Sequence, residues 1–216
     1  MENIKYAIFD MDGTLTETME IWDTCSGAFL MMRGIKPDEE NIFREWGYSE
    51  GINYLIRKYK LPLTYDEVMA ELVKILEYYY FNVSEAKPGA KEFLQKLKDN
   101  GVKMCVISAT NQYMVEACLK RNGLYDYFCK IFSTHEIGIY KDNPEIFKMA
   151  CDYMGTEGDV YVFEDAVYAM RTAKAAGYKL IAVEDYSAED HVDEIKQLAD
   201  YYVTDYKQMY DIFDLR

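Results

Sequence analysis

The amino-acid sequence predicts an α/β fold, a Rossmann-like doubly wound parallel sheet with an inserted all-helical module. Two observations predict it. Short apolar runs that stop abruptly alternate with helical patterns from residue 87 onward, the layout of β and α units in a parallel sheet with helices on both faces. Between the first such run and the second lies a long stretch whose apolar residues recur at helical spacing, with no convincing strand. The expected organisation is therefore an α/β core interrupted by a helical module from about Glu17 to Val83.

Taken in order, Ile4 to Phe9 is an apolar run too short for a helix, ending at Asp10 and followed at once by an Asp-Gly turn. From about Glu17 to Val83 the apolar groups Ile21-Trp22 with Phe29-Leu30, Ile52 with Leu55-Ile56, and Val68 with Leu72 and Leu76 mark helices. Tyr78-Tyr79-Tyr80-Phe81, near the end of this stretch, reads as an aromatic face packed at the domain boundary. Lys87-Pro88-Gly89 is a turn that opens a helix through Leu97. Strand-like runs return at Val102–Ser108, Lys130–Thr134, Val160–Phe163, Lys179–Val183 and Tyr201–Thr204. Asn100-Gly101 and Ala176-Gly177 are read as helix ends, and Pro144 as a helix start. In open α/β sheets ligands bind outside the carboxyl ends of the strands, and the insert leaves from one of those ends, so it is placed to act as a lid.

With 216 residues, half of them hydrophobic, the chain can bury a full core. A formal net charge of −14 argues against nucleic acid and anionic membranes as partners, because both are gripped by clustered Lys and Arg. A phosphorylated ligand meets the same repulsion, so its site needs a cation and a well-placed basic residue. The five cysteines, odd in number and without a close pairing pattern, are expected to be reduced thiols of a cytosolic protein, with Cys105 a small buried hydrophobe. Met1 to Tyr6 lacks the layout of a signal peptide, and no run approaches the ~20 apolar residues of a membrane span. A cytoplasmic monomer is the expectation.

Chemistry gathers where the strand-like runs stop. Asp10-Met11-Asp12-Gly13-Thr14 follows the first; in extended backbone residues i and i+2 point the same way, so Asp10 and Asp12 can address one small volume. Two carboxylates there repel unless a cation intervenes or one holds a proton. Taken alone this motif also resembles the opening of a calcium loop. Val106-Ile107-Ser108-Ala109-Thr110-Asn111 ends the second run before a helix, where a hydroxyl and free N–H groups suit an anionic oxygen; Thr110 or Asn111 is expected to cap that helix. Lys141 stands before the Pro144 helix and can neutralise a phosphate or simply be solvated. Glu164-Asp165 ends the fourth run, the second acidic cluster that a metal first held by Asp10 would need.

Together these residues resemble the haloacid dehalogenase-like superfamily, in the branch containing phosphoglycolate phosphatase and β-phosphoglucomutase. Asp10 to Thr14 matches its Asp-x-Asp-Gly-Thr motif, Ser108 its strand-end Ser/Thr, Lys141 its lysine before a Pro-x-x-Phe helix, and Glu164 with Asp165 its acidic pair. The resemblance implies that Asp10 attacks phosphorus, that Asp12 protonates the leaving group and later deprotonates water, and that Mg²⁺ is held by Asp10, the backbone carbonyl of Asp12 and Asp165, with Glu164 nearby or acting through water. It also implies that Ser108, Lys141 and backbone N–H groups around Ala109 hold the phosphoryl oxygens, and that the insert is a cap of four helices over residues 16–86 between the core segments 1–15 and 87–216. Trp22, Tyr48, Glu50 and Arg44 of the cap are candidate substrate contacts. Two departures stand out: Asp165-Ala166-Val167-Tyr168-Ala169 replaces the usual Asp-Ser-x-x-Gly, and Asp142 stands where many relatives have proline.

The resulting expectation is a Mg²⁺-dependent phosphomonoester hydrolase that acts on a small phosphorylated metabolite through an aspartyl phosphate. A β-phosphoglucomutase-type phosphomutase is the alternative; that pattern has an arginine after Gly-x-Ser, where this chain has Gly47-Tyr48-Ser49-Glu50, and a histidine where it has Trp22. A weakly catalytic binding protein of the same fold is a further alternative. Metal-free dehalogenation is disfavoured by Asp12 and by the Glu164-Asp165 pair.

Overall fold

A computed structural model describes residues 1–39 and 42–215, with only the backbone of residues 44–47. The chain divides into two compact units, Met1–Glu17 with Glu85–Arg216, and Thr18–Ser84. In chain order the elements are β1 (Tyr6–Phe9), α1 (Met19–Met31), α2 (Ile42–Lys58), α3 (Tyr65–Asn82), α4 (Ala90–Asp99), β2 (Lys103–Ser108), α5 (Gln112–Arg121), β3 (Lys130–Ser133), α6 (Thr134–Ile137), α7 (Glu145–Met154), β4 (Val160–Glu164), α8 (Val167–Ala175), β5 (Lys179–Val183), α9 (Val192–Leu198), β6 (Tyr201–Val203) and α10 (Met209–Ile212).

The first unit is built on a six-stranded sheet of order β3-β2-β1-β4-β5-β6, with every pairing parallel. A parallel sheet covered on both faces needs apolar side chains on both, and the strands supply them. On one face Ile8, Cys105, Ile107, Val160, Val162, Leu180 and Ala182 form a buried cluster with Phe147 and Cys151 of α7, Met170 of α8 and Ile195 of α9. On the other, Phe9 stacks on Phe163 with ring centroids 4.2 Å apart, and Phe93 of α4, Tyr206 and Phe213 close over them. The two sets alternate along each strand, as the period of two requires.

After β1 the chain turns back on itself. Gly13 adopts φ 80°, its N–H donates to Thr16 O (3.0 Å), and Leu15 and Thr16 N–H both donate to Met11 O. Where the insert leaves and returns, Thr16 pairs with Ala86 in an antiparallel bridge, Glu17 N–H donates to Glu85 O (2.8 Å), and Lys87 N–H donates to Leu15 O (2.9 Å). These bonds carry the first unit two residues past the sequence-based limits of 15 and 87.

The second unit contains three helical runs among the described residues, not four. α1, α2 and α3 bury Ile21, Cys25, Phe29, Leu30, Ile52, Leu55, Val68, Leu72 and Leu76, and Thr64 with Glu67 closes a capping box at the start of α3. The difference lies in α2, whose hydrogen-bonded run continues through Gly47. A Cβ on Gly51 would stand 2.6 Å from the Phe43 ring. Residues eight apart in a straight helix are about 12 Å apart along the axis, so α2 bends sharply between them, and glycine at position 51 makes room for the ring. The aromatic run at 78–81 does not form one face. At about 100° per residue it spreads around α3: Tyr80 is buried, whereas Tyr78 and Phe81 are exposed.

Candidate active site

The chain order of the strands reverses between β1 and β4, since β2 and β3 extend to one side of β1 while β4, β5 and β6 extend to the other. Such a switch point opens a crevice at the carboxyl ends of the strands. Asp10 stands there, one residue past β1, its N–H donating to Phe163 O of β4 (2.9 Å). Glu164 closes β4 and Asp165 follows it; Ser108 closes β2; Lys141 arrives from the loop after α6. All five are buried.

Lys141 is the hub of the cluster. Its Nζ donates to Asp10 Oδ1 in a close contact and to both oxygens of Glu164 at 3.1 Å. Asp165 accepts from the Thr14 hydroxyl (2.8 Å). Asp10, Glu164 and Asp165 each offer an oxygen within 4.8 Å of the others. Like charges that close repel by about 3.5 kcal/mol per pair at an effective dielectric constant of 20, so three carboxylates make three repulsive pairs against one ammonium. Burial pushes all three carboxyls above their ordinary range; the charge of Asp10 adds to this at Glu164 and Asp165, while Lys141 opposes it at Asp10 and Glu164. Burial disfavours the Lys141 ammonium, but Asp10 and Glu164 outweigh it and its pKa rises. The ammonium therefore stays charged, and three carboxyl groups stand around that one positive charge. Closely set hard oxygens with unbalanced charge suit a divalent cation such as Mg²⁺.

Asp12 is held differently. It is half-buried, and its Oδ2 accepts from the Thr110 hydroxyl (2.8 Å) and from the Ser108 hydroxyl (3.2 Å). Thr110 N–H in turn donates to Ser108 Oγ (3.0 Å), and Ser133 Oγ donates to Thr110 O (2.8 Å), so β2 and β3 jointly set the hydroxyl that holds Asp12. Of the two expected cap residues, Asn111 takes the cap position of α5 but its side chain makes no capping bond, and Thr110 turns its hydroxyl to Asp12. Ala109 is exposed at the end of β2.

Two contributors escaped sequence reasoning. Tyr206 is buried and donates to Thr14 O (2.9 Å), bracing the loop that carries Asp12 from the far end of the chain. Tyr168, on α8, is 45% exposed, yet its phenol pKa is pushed up to about 12, first by loss of water around the hydroxyl and then by the carboxylates of the cluster against Lys141. No motif signalled the former. The latter lies in the stretch where the usual Ser-x-x-Gly is replaced.

Of the cap candidates, Trp22 is half-buried in the second unit, donating from Nε1 to Tyr80 OH (3.2 Å) and meeting Tyr48 edge-on at 6.0 Å. Tyr48 also lies 5.0 Å from Phe43, and Glu50 is exposed on α2. The side chain of Arg44 lies outside the described residues.

A family model described as a haloacid dehalogenase-like hydrolase matches residues 4–177. The chain is 26% identical over 189 residues to a bifunctional riboflavin kinase/FMN phosphatase of Arabidopsis thaliana; the match covers 86% of the chain and half of that longer protein. It is 27% identical over 195 residues to a phosphoglycolate phosphatase of Neisseria meningitidis, covering 85% of this chain and 81% of the relative. Its fold superposes on that of CbbY from Rhodobacter sphaeroides, solved with phosphate, at a TM-score of 0.78 and 21% identity, over 95% of this chain and 96% of the other. Among the described residues no helix is long and apolar enough to cross a membrane.

Proposed function

The chain belongs to the haloacid dehalogenase-like hydrolases, and from that premise we propose that it is a Mg²⁺-dependent phosphomonoester hydrolase acting on a small phosphorylated metabolite, with Asp10 as nucleophile. The observation that carries this reading is the under-neutralised cluster of Asp10, Glu164 and Asp165 around one buried lysine, beside a separately held Asp12.

In the proposed reaction an Asp10 carboxylate oxygen attacks phosphorus as the bond from phosphorus to the substrate oxygen breaks. Asp12 gives its proton to that leaving oxygen, and an aspartyl phosphate remains on Asp10. Water then attacks the same phosphorus while Asp12 takes up its proton; the acyl phosphate bond breaks, orthophosphate leaves and the Asp10 carboxylate is restored. The proposed role of Lys141, which is bonded to Asp10, is to neutralise the phosphoryl oxygens, and that of Ser108, at the end of β2, is to donate its hydroxyl to them. Asp10, Asp165 and Glu164 are the residues that would hold Mg²⁺, which when bound offsets the charge that otherwise repels a phosphate dianion. Phosphoryl transfer depends mainly on positioning and charge neutralisation, which is what these residues supply. The helical unit is proposed to act as a cap whose residues Trp22, Tyr48 and Glu50 contribute to substrate choice.

The test is hydrolysis of p-nitrophenyl phosphate and acetyl phosphate with and without Mg²⁺, followed by acid trapping of the phosphoenzyme and mapping of the phosphate. Label on Asp10 and strict dependence on a divalent cation are expected; turnover unaffected by chelation, or label elsewhere, would overturn the reading. Supplying β-glucose 1-phosphate with a trace of its 1,6-bisphosphate should release free phosphate. Conversion to glucose 6-phosphate instead would establish the mutase.

A further inference from the structure

We propose that Cys105 and Cys129 are a dithiol site that closes to a reversible disulfide, clamping the entry of β3 onto β2. Their sulfurs lie 3.3 Å apart, closer than two unbonded sulfurs normally rest. Covalent bonding requires an approach of only about 1.3 Å, within the reach of small χ adjustments. The backbone already holds them in place: Cys129 N–H donates to Met104 O (2.8 Å), and Cys105 stands opposite Lys130 in the parallel ladder. The other three cysteines make contacts elsewhere, Cys25 in the helical unit, Cys118 with the Asn122 amide, and Cys151 with the Tyr178 hydroxyl at 3.5 Å.

The two thiols differ as an exchange pair requires. Cys129 is exposed and open to a reagent in solution; Cys105 is buried, and burial pushes its thiol up, with Lys103 pulling the other way. The chemistry proceeds by exchange with a low-molecular-weight disulfide such as oxidised glutathione. The Cys129 thiolate attacks one of its sulfurs, forming a mixed disulfide and expelling one glutathione thiolate. Cys105 then loses its proton to that thiolate or to water, and its sulfur attacks Cys129 Sγ; the intramolecular sulfur bond forms and the second glutathione leaves. The protein loses two electrons and two protons, and the glutathione disulfide gains them. Proximity compensates for the low thiolate fraction of Cys105 in the second step.

The clamp sits at the amino end of the β2–β3 pair, three residues before Ser108, about 10 Å along the strand. It should therefore stiffen the sheet without displacing the hydroxyls at the other end. The experiment is to incubate the reduced full chain with oxidised glutathione, block residual thiols in denaturant, and map the peptides after chymotryptic cleavage at Tyr113, which separates Cys105 from Cys118. The expected result is loss of two of the five titratable thiols, a mass lower by about 2 Da, and a peptide pair joining Cys105 to Cys129. Oxidation should raise Tm by roughly 5–10 °C, and the shift should disappear in Cys129→Ser while surviving in Cys151→Ser. Five thiols remaining, a stable glutathione adduct on Cys129, or a link from Cys105 to Cys151 would each overturn the proposal, and the peptide map decides this on the unmutated chain whatever the variants do.

Discussion

Two buried lysines stand near the same rim of the sheet and are treated in opposite ways. Lys87 donates to Asp185 Oδ2 (2.9 Å) and Glu184 O (2.7 Å), one ammonium matched by one carboxylate and a carbonyl. Lys141 faces three carboxylates and is matched by none in number. A buried pair that balances its charge closes a structure; a cluster whose charges do not balance suits the binding of a cation, as the proposed function requires. Burial alone therefore does not tell the two lysines apart. The unbalanced charge around Lys141 does.

The sharpest way to separate the two sites is Asp10→Asn. It removes the proposed nucleophile and one repulsive charge together, so turnover should fall about 10⁴-fold or more while Tm holds or rises. A stopped assay on the purified variant, paired with calorimetry, checks both halves. Loss of Tm together with activity would place Asp10 among the structural residues.

Lys87→Met should do the reverse. It strands the Asp185 carboxylate, with a cost of about 3–5 kcal/mol in a denaturant titration, while kcat under conditions where the variant is folded should change little. A variant as stable as the parent would dissolve the contrast between the two lysines.

Thr110→Val keeps shape and removes the hydroxyl that holds Asp12. The expected loss is about tenfold in kcat with KM little changed, since the carboxylate is displaced rather than deleted. Rescue by Thr110→Ser would tie the effect to the hydroxyl; failure of Ser to restore activity would assign it to packing.

The smallest effect belongs to Glu2, whose carboxyl is lowered to about 2, chiefly by hydrogen bonds from Lys179 and Tyr161. With its folded-state pKa depressed from the ordinary 4.5, its contribution is complete above pH 4.5 and disappears as pH falls towards 2. Glu2→Gln should thus lower Tm slightly at neutral pH, with the difference from the parent closing through that window. A difference that widens on acidification would contradict the pairing.

The strands and the rim were legible because a parallel sheet buried on both faces forces continuous apolar runs, and each strand from Tyr6–Phe9 to Tyr201–Val203 ends within one residue of where its run stops. Asp10, Glu164 and Asp165 could be read from the same stops. The Thr110 to Asp12 bond, the brace from Tyr206 to Thr14 and the Lys87 to Asp185 pair could not, since each joins residues far apart in the chain through side-chain directions that no local pattern encodes. The helix count failed for the opposite reason. Spacing reports which residues face inward, not where a helix bends, and the bend of α2 depends on Phe43 meeting a glycine at 51. The thiols failed similarly: an odd count without a local pattern gave no hint that Cys105 and Cys129 lie in contact.

The antiparallel bridge of Thr16 with Ala86 makes the insert modular in a concrete sense. Both cut ends of the core lie side by side, held by bonds that belong to the core itself, and loop-closure entropy grows only slowly with the length of what is spliced between them. Excising 18–84 and joining Glu17 to Glu85 through an Asn-Gly hairpin turn would leave the sheet its register, and a foreign helical graft could be spliced at the same junction without altering the strands that carry Asp10.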